Sequence, residues 1–328
     1  PVYNGVEFIS RSLPPLVSML PRGDLLEEIV VDDGSTDGTA QEEMRIGETV
    51  NASGGRVGPG GARNEAARTA RGDILWFVDA DVIVHDDAAQ ALLSGFSDPA
   101  VVAVFGSYDD HPPAKNFFSR YKNLVHHYYH QHAREEAGTF WSGCGAVRRQ
   151  IFLDSGGFDV ERYRYPSVED IELGHRLLLA GGRIRLCRDV QCTHLKVWRF
   201  VNLLHTEIFR RAIPWSRLIL ESGSIPDDLN VGLAERGRAS VAVLLVLLLL
   251  AALVGLPAWP ALVIVFLVML VINRDIAGFF HGRGGFLFAL RGLLFHQVYY
   301  FYSAGAFAWV LLERILQGLL GRSLARGA

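Results

Sequence analysis

The chain has 328 residues, half of them hydrophobic, which is enough for one large domain or two smaller ones around a sizeable core. Its formal charge of -3 provides no basic field, so binding of nucleic acid through its phosphates is excluded as the main activity. Three cysteines, Cys144, Cys187 and Cys192, are too few for a disulfide framework and fit a reducing compartment for the soluble part.

The first residues, PVYNG, read as the end of a strand, so the N-terminus is expected to be trimmed. Residues 7–20 carry apolar side chains at helical spacing, and EEIVVDD (27–33) follows as a short buried strand. A helix is expected over 36–45 and another over 61–71, then a strand in DILWFVDADV (73–82) and a helix over 86–96. This alternation predicts an α/β fold with a doubly wound, mostly parallel sheet. In such sheets ligands bind beyond the carboxyl ends of the strands, and the acidic clusters VVDDGS and FVDADV both fall there. They are expected to face one crevice. AVVAVFGSYDD (100–110) reads as a further strand, followed by an aromatic, His-rich helix over 117–136. In that helix His126 and His130 lie one turn apart and could share a metal, although packing against a core or a membrane surface needs none.

From 239 to 272 no charged side chain occurs. Broken by GLPAWP (255–260), this run is read as two membrane spans joined by a tight turn. A third uncharged stretch, 293–312, contains His296, Gln297 and Tyr299, Tyr300 and Tyr302, which leaves two or three spans open. Arg236 and Arg238 precede the first span and Arg274, Arg283 and Arg291 follow the second, so the positive-inside rule places both flanks, and the soluble part, in the cytoplasm. The expected layout is a catalytic domain over 1–200, an interfacial or linker segment over 201–238 that includes FRRAIPW, and a membrane region over 239–328.

Several residues could carry chemistry. If the strand over 73–82 persists, Asp79 and Asp81 point the same way, and two carboxylates suit Mg²⁺ or Mn²⁺ bound with phosphate oxygens; a polar strand end beginning a turn is the plainer reading. Asp32 and Asp33 could accept hydrogen bonds from a base or a ribose, or simply open an Asx-type turn. GPGGARNEAA (58–67) opens a helix with glycines that would let phosphate approach, without the spacing of a Walker loop. In SVEDIELGHRLLLAGG (167–182), Ser167 and Asp170 resemble a capping box; alternatively Asp170 is a general base.

Together, PVYN, VVDDGSTDGT, GGARNEA, FVDADV, GCGAVRRQIFLDSGGFD, VEDIELGHRL and CTHLKVW resemble, in order and spacing, the family 2 glycosyltransferases over about residues 1–200. The resemblance implies a GT-A fold, a nucleotide-sugar donor, a divalent cation (Mg²⁺ or Mn²⁺) and transfer with inversion. By matched position it implies Asp33, with Asp32, at the nucleoside; Arg63 and Asn64 lining the donor pocket; Asp79 and Asp81 as donor and metal acids, with His194 touching the metal or diphosphate; Asp170 as base; and Gly157, Phe158 and Asp159, with Glu169, on the acceptor side. No Gln-x-x-Arg-Trp box follows the base, which points away from a processive synthase. The apolar C-terminus resembles members that glycosylate lipids or lipid-linked acceptors in building envelope glycans. A nucleotidyltransferase or an inactive membrane scaffold on the same fold are the rival readings.

Overall fold

The computed structural model describes residues 1–46, 50–223 and 228–320. The chain divides into two compact units, Pro1–Trp198 and Arg199–Ala328.

In the first unit, the β-branched pair Val30 and Val31 forms β1 (Val30–Asp32), which runs parallel to β2 (Val50–Ala52), while Val2 adds a parallel bridge to Asp32. Helix α1 (Val6–Met19) buries Ile9, Leu13, Leu16 and Met19, the stripe that its helical spacing predicts. A second sheet has the order β3-β6-β5-β7-β4, from β3 (Ile74–Val78), β4 (Val82–Val84), β5 (Val101–Tyr108), β6 (Cys144–Arg148) and β7 (Arg183–His194).

Only β5 and β7 pair parallel in this sheet; β3 with β6, β5 with β6, and β4 with β7 are antiparallel. The expectation of a mostly parallel sheet is therefore corrected. Helix-strand alternation implies parallel neighbours only if each helix carries the chain back beside the strand it left. Here β3 passes to β4 through the short turn at residues 79–81, and β4 lies at the far edge. Between β3 and β5 sits β6, which comes much later in the chain.

Helices α2 (Thr39–Ile46), α3 (Gly58–Thr69), α4 (Ala88–Gly95), α5 (Phe117–His132), α6 (Arg149–Asp154) and α7 (Glu169–Leu179) complete the unit. β5 is buried along its whole length and feeds two apolar clusters. One holds Phe77, Phe105, Phe140, Phe152 and Phe158; the other holds Val82, Val84, Leu92, Val104 and Val190.

In the second unit, α8 (Phe200–His205) continues through a π-helical stretch (Thr206–Ala212) into α9 (Ile213–Ser222), so much of the expected linker is helix. After a single 3₁₀ turn at Leu229–Val231 come α10 (Leu233–Leu253), α11 (Trp259–Ile272) and α12 (Arg274–Leu320). The 21 residues of α10 extend ~31 Å at 1.5 Å each, enough for a hydrocarbon core of ~30 Å. Its most apolar window has mean hydropathy 2.0 and is only 11% buried. The 14 residues of α11 reach only ~21 Å, and a bend of 64° separates them from α12. Among the described residues, then, one helix is long and apolar enough to cross a membrane, or two if the bent pair counts as a span, where two spans joined by a tight turn, or three with 293–312, were expected.

Candidate active site

The two acids of FVDADV part company. β3 ends at Val78; Asp79 N–H still reaches Gly143 O at 3.1 Å, and Val82 N–H then bonds back to Asp79 O at 3.0 Å, closing a turn. Strand alternation does not apply inside a turn, so the expectation that both carboxylates share one face fails. Asp79 meets the Arg63 guanidinium of α3. Asp81 turns to β7, because β4 pairs there with Val82 opposite His194, and its Oδ2 lies 3.5 Å from His194 Nε2. Burial works to raise the Asp81 pKa, but the neighbouring His194 imidazole, with the charge of Lys196, holds it below the ordinary value.

Among the described residues no three His, Cys, Asp or Glu side chains converge on one point. The Asp81 carboxylate and the His194 imidazole nevertheless fit an ion of the Mg²⁺ or Mn²⁺ type, which takes one or two protein ligands and completes its shell with phosphate oxygens and water.

Arg63 is 4% exposed and ties two elements together, reaching Asp79 on one side and, at 3.7 Å, Glu169 on the other. Glu169 is buried at the start of α7; burial, then the adjacent Asp170 charge, pushes its pKa up to about 7 against the pull of Arg63. The capping box expected of Ser167 and Asp170 needs Ser167 at the N-cap, one residue before the N-cap observed. Val168 is the N-cap without a side-chain cap, and the Ser167 N–H donates to Glu169 Oε2 at 2.7 Å. Asp170 is instead held from the approach to β6: Ser142 N–H donates to Oδ2 at 3.1 Å, with Ser142 Oγ at 3.4 Å. Ser142 was not singled out in the sequence, although it directly precedes the motif GCGAVRRQIFLDSGGFD.

Asn64, expected at the donor pocket, spends both ends of its amide on the backbone of Phe158. Its Nδ2 donates to Phe158 O at 2.9 Å, and Phe158 N–H donates to its Oδ1 at 2.8 Å. Phe158 is 2% exposed and packs edge-on against Phe77 and Phe152, so it anchors the loop that was expected on the acceptor side in the core. Arg176 of α7, which sequence spacing did not flag, grips Glu172 and donates to Ser155 O at 2.5 Å and Gly157 O at 2.6 Å. Gly157 has φ +69, and a Cβ there would collide with Asn64. Asp159 closes the loop by accepting from Arg162 N–H at 3.0 Å.

Asp33 also has a structural duty. Val57 N–H donates to Oδ1 at 2.7 Å and Gly58 N–H to Oδ2 at 3.0 Å, so both oxygens cap the start of α3. The phosphate reading of GPGG weakens accordingly: Gly58, at φ +78, leaves room for the Arg164 carbonyl, and Gly60 for Phe158. Asp32 accepts from Ser35 N–H at 3.0 Å through Oδ1 alone.

Rings stack behind His194. Tyr108 lies 4.3 Å from it at 9°, His126 lies 4.2 Å from Tyr108, and His130 lies 3.8 Å from His126. His130 Nδ1 is 2.9 Å from Gly106 O, and burial lowers its pKa to about 4. His126 and His130 are thus members of a ring stack; they present faces to each other, which is not how two imidazoles share a metal. An apolar cavity of about 440 Å³ is lined by Arg63 and Asp79 together with Val30, Ala67 and Phe77. Asp81, Asp170 and His194 do not line it.

The sequence model of the family described as Glycosyl transferase family 2 matches residues 1–156. Over these residues the chain is similar to a family 2 glycosyltransferase domain. An O-antigen chain rhamnosyltransferase of Salmonella typhimurium is 27% identical over 203 residues, 57% of this chain and 64% of that protein. A pre-mycofactocin glycosyltransferase of Mycobacterium tuberculosis is 31% identical over 198 residues, 56% of this chain and 39% of that protein. The chain therefore spans less than two thirds of the length of these curated relatives. A mannosyltransferase from Pyrobaculum calidifontis, solved with GDP-mannose and Mn²⁺, shares the fold at a TM-score of 0.60 with 22% identity, covering 94% of this chain and 85% of that one. The matched glycosyltransferase domain contains Asp32, Asp33, Arg63, Asn64, Asp79 and Asp81. Asp170 and His194 lie beyond the matched residues but within the same compact unit, Pro1–Trp198.

Proposed function

We propose that the chain is an inverting, non-processive glycosyltransferase that moves a sugar from a nucleotide-sugar donor to a hydroxyl of a lipid-linked or glycan acceptor at the cytoplasmic face of a membrane. The observation that carries the reading is the bridge made by Arg63, which joins the donor acid Asp79 to Glu169, the neighbour of Asp170. This supports reading a donor-side carboxylate and a candidate base as parts of one site. In this reading Asp170 takes the proton of the acceptor hydroxyl as its oxygen attacks the anomeric carbon from the face opposite the leaving group, breaking the bond to the nucleoside diphosphate. Asp32, with one oxygen free of Ser35, is the better placed of the two acids to accept from a base or ribose, while Asp33 supports it by fixing α3. Mg²⁺ or Mn²⁺ on Asp81 and His194 would supply electrostatic stabilisation of the diphosphate.

The membrane assignment rests on α10, an apolar helix of spanning length that is only 11% buried and carries Arg236 and Arg238 in its first turns. A relative named for building the O-antigen chain supports an envelope-glycan acceptor.

The test is release of nucleoside diphosphate by detergent-purified protein from UDP-, GDP- and dTDP-sugars, with Mn²⁺ or EDTA and a polyprenyl phosphate or membrane-lipid extract. Transfer that vanishes in Asp170→Asn while donor binding persists supports the assignment; full activity in that variant refutes the base. Silence with every donor, without a nucleotide-dependent thermal shift, would favour the inactive scaffold.

A further inference from the structure

The ion-binding pair has an orientation problem that the ring stack solves. An imidazole binds a cation through a lone pair lying in its ring plane, so the ring plane decides whether Nε2 is usable. The Asp81 carboxylate does not fix that plane, since 3.5 Å is too long for an orienting hydrogen bond. Rotation about the last side-chain bond of a histidine is soft and broad, so a free ring would turn away. Tyr108 lies face to face with the His194 ring, 4.3 Å away and 9° from parallel, and is itself only 8% exposed.

Tyr108 cannot easily move either. Its carbonyl accepts from His127 Nδ1 at 2.7 Å, and the residue is paired with Cys192 of β7. His126 packs against Tyr108 at 4.2 Å, tilted by 36°, and is backed in turn by His130 at 3.8 Å, which Gly106 O holds at 2.9 Å. Trp141 closes the stack edge-on, 4.9 Å from Tyr108 at 84° and 5.4 Å from His130 at 87°. The four rings run from α5 across the end of β5 to β7 and stop at the imidazole facing Asp81.

We propose that Tyr108 is a positioning residue for His194: its ring sets the imidazole plane that aims Nε2 at Asp81, and so sets the affinity of that pair for a divalent cation bound together with a nucleoside diphosphate. The inference rests on reading Asp81 and His194 as the ion-binding pair. Tyr108 touches neither donor nor acceptor in this scheme and acts only through His194.

The experiment titrates UDP and GDP calorimetrically into the full chain in detergent, with Mn²⁺ and with EDTA, and takes the ratio of the two Kd values as the metal-dependent gain for whichever nucleotide binds. In Tyr108→Leu the gain should fall about 10-fold, the lower end of what losing an outer support of a ligand costs, while affinity in EDTA stays within about twofold of wild type. Tyr108→Phe keeps the ring and should keep the gain. If Tyr108→Leu does not fold, Tyr108→Met, which fills the space without a ring, carries the same expectation. A wild-type gain in the ring-less variants overturns the proposal, as does equal loss of affinity in EDTA, which would mean that the stack merely holds the fold. Absence of any gain in wild-type protein overturns it too, and identifies the ion-binding reading itself as the failure.

Discussion

Replacing Asn64 by Ala tests whether this residue holds the acceptor-side loop or contacts the donor. The side chain is 8% exposed and makes two hydrogen bonds to the backbone of Phe158, 2.9 Å from Nδ2 to O and 2.8 Å from N–H to Oδ1. Truncation strands one buried carbonyl and one buried N–H, each costing ~1–3 kcal/mol, so the unit should lose about 2–6 kcal/mol. For a unit of this size each kcal/mol lowers Tm by about 2–4 °C, which predicts a fall of roughly 10 °C. Asn64→Asp should be no better, because it offers an acceptor to the Phe158 carbonyl in place of a donor. The assay is a thermal melt followed by nucleotide titration at a temperature where the variant remains folded. Destabilisation with nucleotide Kd unchanged within about threefold is the expected result. An unchanged Tm with weakened nucleotide binding would refute the clamp and restore Asn64 to the donor pocket.

Asp33→Ala removes the acceptor for the Val57 and Gly58 amides and should cost ~1–2 kcal/mol of stability, read as a lower Tm without nucleotide present. An unaltered melt would show that the cap contributes nothing. His130 couples stability to pH: burial depresses its pKa from an ordinary 6.5 to about 4, so the unfolded chain binds a proton that the folded unit refuses, and stability falls as pH drops from 6.5 towards 4. The loss amounts to about 3 kcal/mol by pH 4 and is absent above 6.5. His130→Gln, which retains a donor for Gly106 O, should flatten that slope in denaturant melts; an identical slope would discharge His130 from the effect. Leu247→Arg places a charge within α10, where a central arginine costs ~2.5–3.5 kcal/mol of insertion, and should shift the protein out of the membrane fraction. Unchanged fractionation would argue against α10 as a span.

What could be read from the sequence followed from local chemistry. Val30 and Val31 run into Asp32 and a Gly-Ser turn, and β1 stops there. Gly181 and Gly182 end α7 just after Leu179, and the apolar spacing of residues 7–20 gives α1. What could not be read depended on partners far along the chain. The direction of β6 between β3 and β5 is set by long-range pairing that no window of residues displays. Asp79 and Asp81 take different partners because Arg63 arrives from α3 and His194 from β7. Asp33, Asn64 and Phe158 were legible as important positions, yet their partners are the backbone of residues 57, 58 and 158 and the core around Phe77, and they support the site from behind. Arg176 and Ser142 carried no motif of their own; only packing brings them to Gly157 and Asp170.

The clamp around Phe158 also bears on engineering. Residues 155–158 are held by Asn64 from α3 and by Arg176 from α7, and the same two helices carry Arg63 and Asp170. A graft of this loop from a relative, made to redirect the protein towards a new acceptor, would therefore fail if transplanted alone. The exchangeable module is the loop together with the residues at 64, 172 and 176, and a chimaera built on those boundaries keeps both grips intact.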